Sequence, residues 1–281
     1  MLELDKRLHV FRPDLADAQL QGQVDAKRFV SGTAVQFIAP STPVLCAPQS
    51  DAMQLTQALM GETAQVFEIA EGWAWVQLEH DHYVGYVRSA SLSTIVHSAT
   101  HMVGVASTLL YPKPDLKSQP VLFLPMNAKL NVVSEHGQYS ELATGGFVFT
   151  KHIAAAGAGL TDFISVAEKF LNVPYLWGGK THHGLDCSGL VQTALHACGI
   201  EAPRDTDMQE KTLGTALQIN DLDGLRRGDL VFWDGHVGIM FSESLLLHAN
   251  GFHMQTVIEP LKLAATRIAE SYKPITSLKR L

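Results

Sequence analysis

Cysteine is scarce in this chain, three residues in 281, and its spacing excludes much. Cys46, Cys187 and Cys198 form neither an even disulfide framework nor a CxxC metal pattern. Cys187 and Cys198 would stand on the order of 16 Å apart along one helix, too far for a bridge. Cys46 and Cys198 therefore read as small apolar fillers. Positive charge is also short: 21 Lys and Arg against 28 Asp and Glu give a net charge of −7, with no basic stripe. Nucleic acid is accordingly not expected as a partner, because nothing is arranged to neutralise phosphates. No segment approaches the roughly 18 apolar residues of a membrane span. The charged opening Met1–Arg7 lacks the basic and apolar regions of a secretory leader, which points to a cytoplasmic protein, or a periplasmic one if an export signal was removed. His182 and His183 are adjacent in a loop where side chains are expected to point apart. With no second Cys or carboxylate at zinc spacing, no metal or other cofactor is expected.

What is present is organised in blocks. From residue 30 to 97 short alternating segments recur with turn signals between them, as in Gln65–Ile69, Trp73–Leu78 and Tyr83–Val87. That spacing predicts a small β-barrel. Trp73 and Trp75 are read as alternating between faces, one in the core and one at a cleft rim. A fainter copy follows in Lys129–Val133, Gly137–Leu142 and Gly145–Val148. The internal repeat of about 60 residues predicts a second barrel over 98–156. Residues 1–29 form an N-terminal extension outside either copy, and the small-residue run Ala154–Gly159 reads as a hinge. Beyond it, in 157–281, Asp162–Leu171 and Cys187–Cys198 predict helices, the second closed by Gly199. Strands are expected at Leu230–Trp233, Val237–Phe241 and Leu245–His248. Helices first and strands after predict an α+β domain with an antiparallel sheet.

The chemistry gathers in that last domain. Cys187 begins a helix, where unsatisfied N–H groups and aligned peptide dipoles favour a thiolate. His236 opens a strand, from which it could serve as base, and His248 follows twelve residues later. A strand, a turn and a returning strand would bring His248 back beside His236 to hold its ring in the productive tautomer. The set outlines a thiolate nucleophile, its base and an orienting group.

These residues sit in a series of motifs. They are Pro174-Tyr175-Leu176-Trp177-Gly178-Gly179, Asp186-Cys187-Ser188-Gly189-Leu190, Pro203-Arg204-Asp205-Thr206, Arg227-Gly228-Asp229-Leu230-Val231-Phe232-Trp233, Gly235-His236-Val237-Gly238-Ile239 and His248-Ala249. In them the chain resembles the NlpC/P60 family of cell-wall cysteine peptidases. The two upstream modules are similar to bacterial SH3 domains, and the whole resembles γ-D-glutamyl-L-diamino acid endopeptidases. The resemblance implies a papain-like α+β catalytic domain behind two SH3-like β-barrels. It implies cleavage between γ-D-Glu and diaminopimelate or lysine in muropeptides, the peptides derived from peptidoglycan, with no cofactor. It makes Cys187 the nucleophile, His236 the base, His248 the orienting residue and Tyr175 an oxyanion donor. Asp186, Ser188, Asp205, Thr206 and Trp177 fall at pocket positions. Arg204 either forks onto a substrate carboxylate or pairs locally. Glu62 and Tyr83 of the first module either read the free L-Ala amine or are a solvated turn residue and a half-buried barrel aromatic. A free amine requirement fits murein peptide recycling. Two other readings remain: an amidase or acyltransferase on the same scaffold, and a non-catalytic wall-binding protein.

Overall fold

Strands dominate the first 156 residues because short apolar alternations are cut every few residues by turns. The computed structural model describes residues 4–218 and 222–281. It divides into two units, Met1–Ala156 and Gly157–Leu281.

In the first unit, seven antiparallel strands form one curved sheet. In spatial order they are Gln54–Leu59, Ser41–Leu45, Val84–Arg88, Trp73–Leu78, Thr63–Ala70, Thr33–Phe37 and Leu92–Ser93. Val35, Phe37, Val44, Val66, Val76, Leu78 and Val87 fill its core. A five-stranded sheet over residues 107–149 and a three-stranded one over 101–155 enclose a separate core of Val103, Leu110, Leu124, Leu130, Leu142 and Val148. Two barrel-like modules thus lie within the unit. The Lys129 N–H bonds the Met60 carbonyl between them, at 2.8 Å.

The N-terminal segment packs instead of trailing. Val10 and Leu15 bury themselves against Phe67, Trp75 and Val84 on the outer side of the first sheet. Trp73 and Trp75 do not divide between faces. They are two residues apart, the strand repeat is two, and both are buried on one side. Arg88 covers the Trp73 ring at 3.9 Å and Arg12 the Trp75 ring at 4.2 Å. Cys46 is exposed rather than filling a core, because it follows the buried Leu45 where the strand ends.

The second unit begins with helix α1 (Phe163–Glu168), capped by the Asp162 carboxylate on the Ile164 and Ser165 N–H groups. Then come α2 (Cys187–Ala197) and α3 (Thr206–Thr212). A six-stranded antiparallel sheet follows from β1 (Thr215–Ala216), β2 (Leu230–Trp233), β3 (His236–Met240), β4 (Leu245–Asn250), β5 (Gln255–Pro260) and β6 (Ile275–Arg280), in the order β1-β6-β2-β3-β4-β5. Helix α4 (Leu261–Ser271) packs Leu261 and Ala264 on Val231, Trp233, Met240, Leu246 and Leu278. Helix α2, almost wholly buried, lies against β3 and β4.

Candidate active site

Cys187 is the first residue of α2, and Asp186 is its N-cap, accepting the Gly189 N–H at 2.7 Å. The Asp186 carboxylate is saturated. Its Oδ2 accepts from the Gly178 N–H at 2.7 Å and from Arg204 Nη2 at 2.7 Å, and its Oδ1 accepts from Arg204 Nη1 at 3.0 Å. Arg204 also donates to Ser188 Oγ at 2.8 Å, and Ser188 donates on to Asp186 at 3.3 Å. Of the two roles open to Arg204, local pairing is therefore occupied: it is 1% exposed, and its fork grips Asp186. Asp186, Ser188 and Arg204 form one buried polar lattice beneath Cys187. Gly189 belongs to it by size, since a Cβ there would come within 2.2 Å of the Gly179 carbonyl.

The thiol itself lies beside Thr206 Oγ1 at 3.9 Å and the Gly235 carbonyl at 4.0 Å. Gly235, the residue before His236, thus lies at the sulfur where β3 begins. Tyr175 is joined to Leu185 by a parallel bridge, two residues before Cys187, and its N–H bonds the Met254 carbonyl at 2.9 Å. Burial and the neighbouring Cys187 and Asp186 push the Tyr175 phenol well above its usual range, so it remains a donor. Trp177 is 60% exposed on the same loop. Asp205 occupies the N-cap position of α3 and is half-buried.

His236 and His248 meet as hairpin geometry requires. Ile239 pairs with Leu247 and Met240 with Leu246, which sets the two histidines diagonally on one face of β3 and β4. Gly238 leaves the room: a Cβ there would come within 3.2 Å of the His248 Cβ. His236 Nε2 and His248 Nδ1 are 2.9 Å apart. On the far side, His248 Nε2 lies 2.8 Å from Glu259 Oε1, and Arg267 donates to both Glu259 oxygens at 2.7 Å. The sequence motifs contain neither Glu259 nor Arg267. A pairing of β4 with β5 in this register was the missing signal.

The electrostatics differ from the expected thiolate at a helix terminus. Burial pushes the Cys187 thiol up to about 11, and the Asp186 charge adds to the effect. Burial, with His248 second, pushes His236 down to about 3. Asp186 offsets the positive end of α2, so the pair rests as neutral thiol and neutral imidazole. Such a pair makes the thiolate as it attacks, by handing its proton to the imidazole.

Glu62 and Tyr83 lie in the first unit. Glu62 is buried, its carboxylate accepting the Leu59 N–H at 2.8 Å, so it is not a solvated turn residue. Tyr83 is fully buried in the first barrel's core. His182 and His183 do not point apart, their ring centroids being 3.9 Å from one another. Cys198 is half-buried after α2.

Residues 172–269 match the NlpC/P60 family model, and residues 44–92 match that of the bacterial dipeptidyl-peptidase SH3 domain. The dipeptidyl-peptidase 6 of Lysinibacillus sphaericus is 27% identical over 237 residues, covering 76% of this chain and 86% of its own. The γ-D-glutamyl-L-lysine dipeptidyl-peptidase of Bacillus subtilis is 28% identical over 222 residues, covering 69% of this chain and 71% of its own. A crystal structure of an NlpC/P60 family protein from Bacillus cereus shares the fold, with a TM-score of 0.73 at 20% identity, over 88% of this chain and 99% of that one. The chain therefore carries an NlpC/P60 family domain over residues 172–269, preceded by an SH3 domain of the bacterial dipeptidyl-peptidase kind over residues 44–92.

Proposed function

We propose that the chain is a cysteine endopeptidase that cleaves the bond between γ-D-Glu and an L-diamino acid in peptidoglycan stem peptides with a free N-terminal L-Ala. The observation that carries this reading is the Cys187 sulfur at the head of α2, 4.0 Å from the Gly235 carbonyl that leads into His236, with His236 Nε2 held 2.9 Å from His248 Nδ1. The substrate class is supported by relatives named for dipeptide release and for the γ-D-glutamyl-L-lysine bond.

Attack by Cys187 forms the S–C bond as the thiol proton passes to His236 Nδ1. The Cys187 backbone N–H and the Tyr175 hydroxyl steady the developing oxyanion. Collapse breaks the C–N bond, and the His236 imidazolium protonates the departing amine. Water then attacks the γ-glutamyl thioester. His236 takes its proton and returns one to sulfur as the dipeptide acid leaves. Thr206, Asp205 and Trp177 are the proposed pocket residues on this unit. Asp186, Ser188 and Arg204 contribute by holding the nucleophile's loop. A requirement for a free amine would place the enzyme in recycling of released peptides.

The test is mass spectrometry of products from L-Ala-γ-D-Glu-meso-diaminopimelate, its L-Lys counterpart and their N-acetylated forms, with Cys187→Ala as control. Release of L-Ala-D-Glu from the free peptides alone, lost in the variant, supports the proposal. Equal cleavage of the acetylated forms removes the requirement for a free amine. Cleavage of intact sacculi at the same rate removes recycling. If neither peptide is cut, and a γ-glutamyl product appears only with an added amine, transfer replaces hydrolysis.

A further inference from the structure

The hydrogen-bonded line from His236 continues past His248 to Glu259 and Arg267, and its far end decides where the protons sit. We infer that Glu259, gripped by Arg267, is a positioning residue that sets the tautomer of His248 and, through it, that of the base His236. The inference rests on the cysteine-peptidase reading, because it concerns the base of that reaction.

The placement follows from register. His248 pairs with Val257 and Leu246 with Glu259 across β4 and β5, so Glu259 is the diagonal neighbour of His248 on the same face. His248 is 0% exposed, which leaves its ring nitrogens to be satisfied by protein groups. Burial opposes the charge on Glu259, but the hydrogen bonds from Arg267 and His248 prevail and bring its pKa down to about 2. An ionised carboxylate has no proton to give. His248 Nε2 must therefore carry the hydrogen and donate it to Oε1 at 2.8 Å.

The rest is forced in sequence. With the proton on Nε2, His248 Nδ1 is a bare acceptor, and only His236 Nε2–H can fill the 2.9 Å gap. His236 Nδ1 is then the lone pair that takes the Cys187 proton. The opposite order fails. A proton on His248 Nδ1 would meet His236 as a donor, and His236 would have to move its own proton to Nδ1, losing its basic nitrogen toward sulfur.

Two other groups face this corner. His253 Nδ1 lies 3.9 Å from Glu259 Oε1. Asn250 Nδ2 lies 3.0 Å from His248 Nε2, and the His253 N–H fixes that amide by donating to Asn250 Oδ1 at 2.8 Å. Asn250 alone would favour an unprotonated Nε2. The charge-assisted contact with Glu259 is shorter and stronger, and it prevails. Arg267 supports it from α4 by bonding both carboxylate oxygens at 2.7 Å. Packing of α4 on the sheet does not require this pair, since Leu261 and Ala264 already bury that face.

The experiment reads the tautomer directly. The full chain labelled with 15N-histidine would be examined at pH 7 by long-range 1H–15N correlation, with signals assigned by single histidine variants. Neutral, Nε2-protonated rings at both His236 and His248 are expected. An Nδ1-protonated His248 in the unaltered protein overturns the inference without need of any variant. Kinetics on the free tripeptide give the second reading. Glu259→Gln is expected to lower kcat about 10- to 100-fold, the usual range for a supporting partner, while KM stays within about twofold. Glu259→Asp should recover part of the loss. An unchanged kcat in Glu259→Gln, or an unchanged tautomer, overturns the assignment. If the unaltered protein cuts no peptide, the peptidase reading fails, and the tautomer measurement still decides the role of Glu259.

Discussion

Replacing Arg204 by Met tests the ion pair beneath the nucleophile. In the folded protein Arg204 donates to Asp186 at 3.0 and 2.7 Å and to Ser188 at 2.8 Å, with 1% of its surface exposed. Without it, Asp186 keeps the Gly178 and Gly189 N–H groups but loses its only buried counter-charge among these contacts. Breaking a buried pair on one side costs about 3–5 kcal/mol. The retained N–H bonds argue for the lower end, about 3 kcal/mol. For a unit of this size that lowers the Tm by roughly 10 °C. The same change leaves the Asp186 charge uncompensated beside Cys187, pushing the thiol further up and slowing iodoacetamide alkylation at pH 8. Thermal unfolding and alkylation rate should be followed for Arg204→Met, Asp186→Asn and the double variant. Both singles should be strongly destabilised, and the double should recover much of the loss because no lone charge stays buried. A Tm drop below about 3 °C in Arg204→Met, or faster alkylation, would refute the reasoning.

Tyr175→Phe should lower kcat about 10²-fold with little change in KM, as expected for an oxyanion donor; steady-state kinetics on the free tripeptide check this, and a change confined to KM counts against the role. Because His236 is pushed down to about 3, its basic form persists through mildly acid solution. The acid limb of kcat/KM should therefore fall below pH 5, and a limb between pH 6 and 7 would contradict the buried neutral pair. Stability should move differently: the unfolded chain protonates His236 near 6.5 and the folded one only near 3, so the unfolded state binds more protons on acidification. Folding stability is then lost as pH falls below about 6.5, by about 2 kcal/mol at pH 5 from this residue, measurable by urea unfolding at the two pH values. Gly189→Ala should cost more than about 2 kcal/mol, because the new Cβ meets the Gly179 carbonyl rather than a flexible side chain; a thermal shift below about 2 °C would contradict it.

Some of this molecule was legible without coordinates. An Asp-Cys-Ser-Gly run before an apolar periodic segment predicts a capped helix, since a cap is satisfied within three residues of itself. The twelve-residue interval between His236 and His248 fits a hairpin, and hairpins bring such positions together whatever surrounds them. Other features depended on partners far along the chain. Trp73 and Trp75 share a face by strand geometry, yet their cover comes from Arg88 and Arg12, outside their own strand. Val10 and Leu15 carry no periodic pattern, and their burial exists only because the first sheet offers them Phe67 and Trp75.

Local sequence marked α1, α2 and the strands that carry His236 and His248, and it singled out Cys187, His236 and His248 as candidates, because each is announced by residues within a few positions of it. The protonation of the candidate site came from long-range burial. Burial of Cys187 and His236 favours the neutral pair over the thiolate that a bare helix terminus would promote, since removing charge from water outweighs the helix field. The grip of Arg204 on Asp186, and that of Arg267 on Glu259, likewise join residues whose separation in the chain carries no local signal. Sheet register and helix packing brought them together.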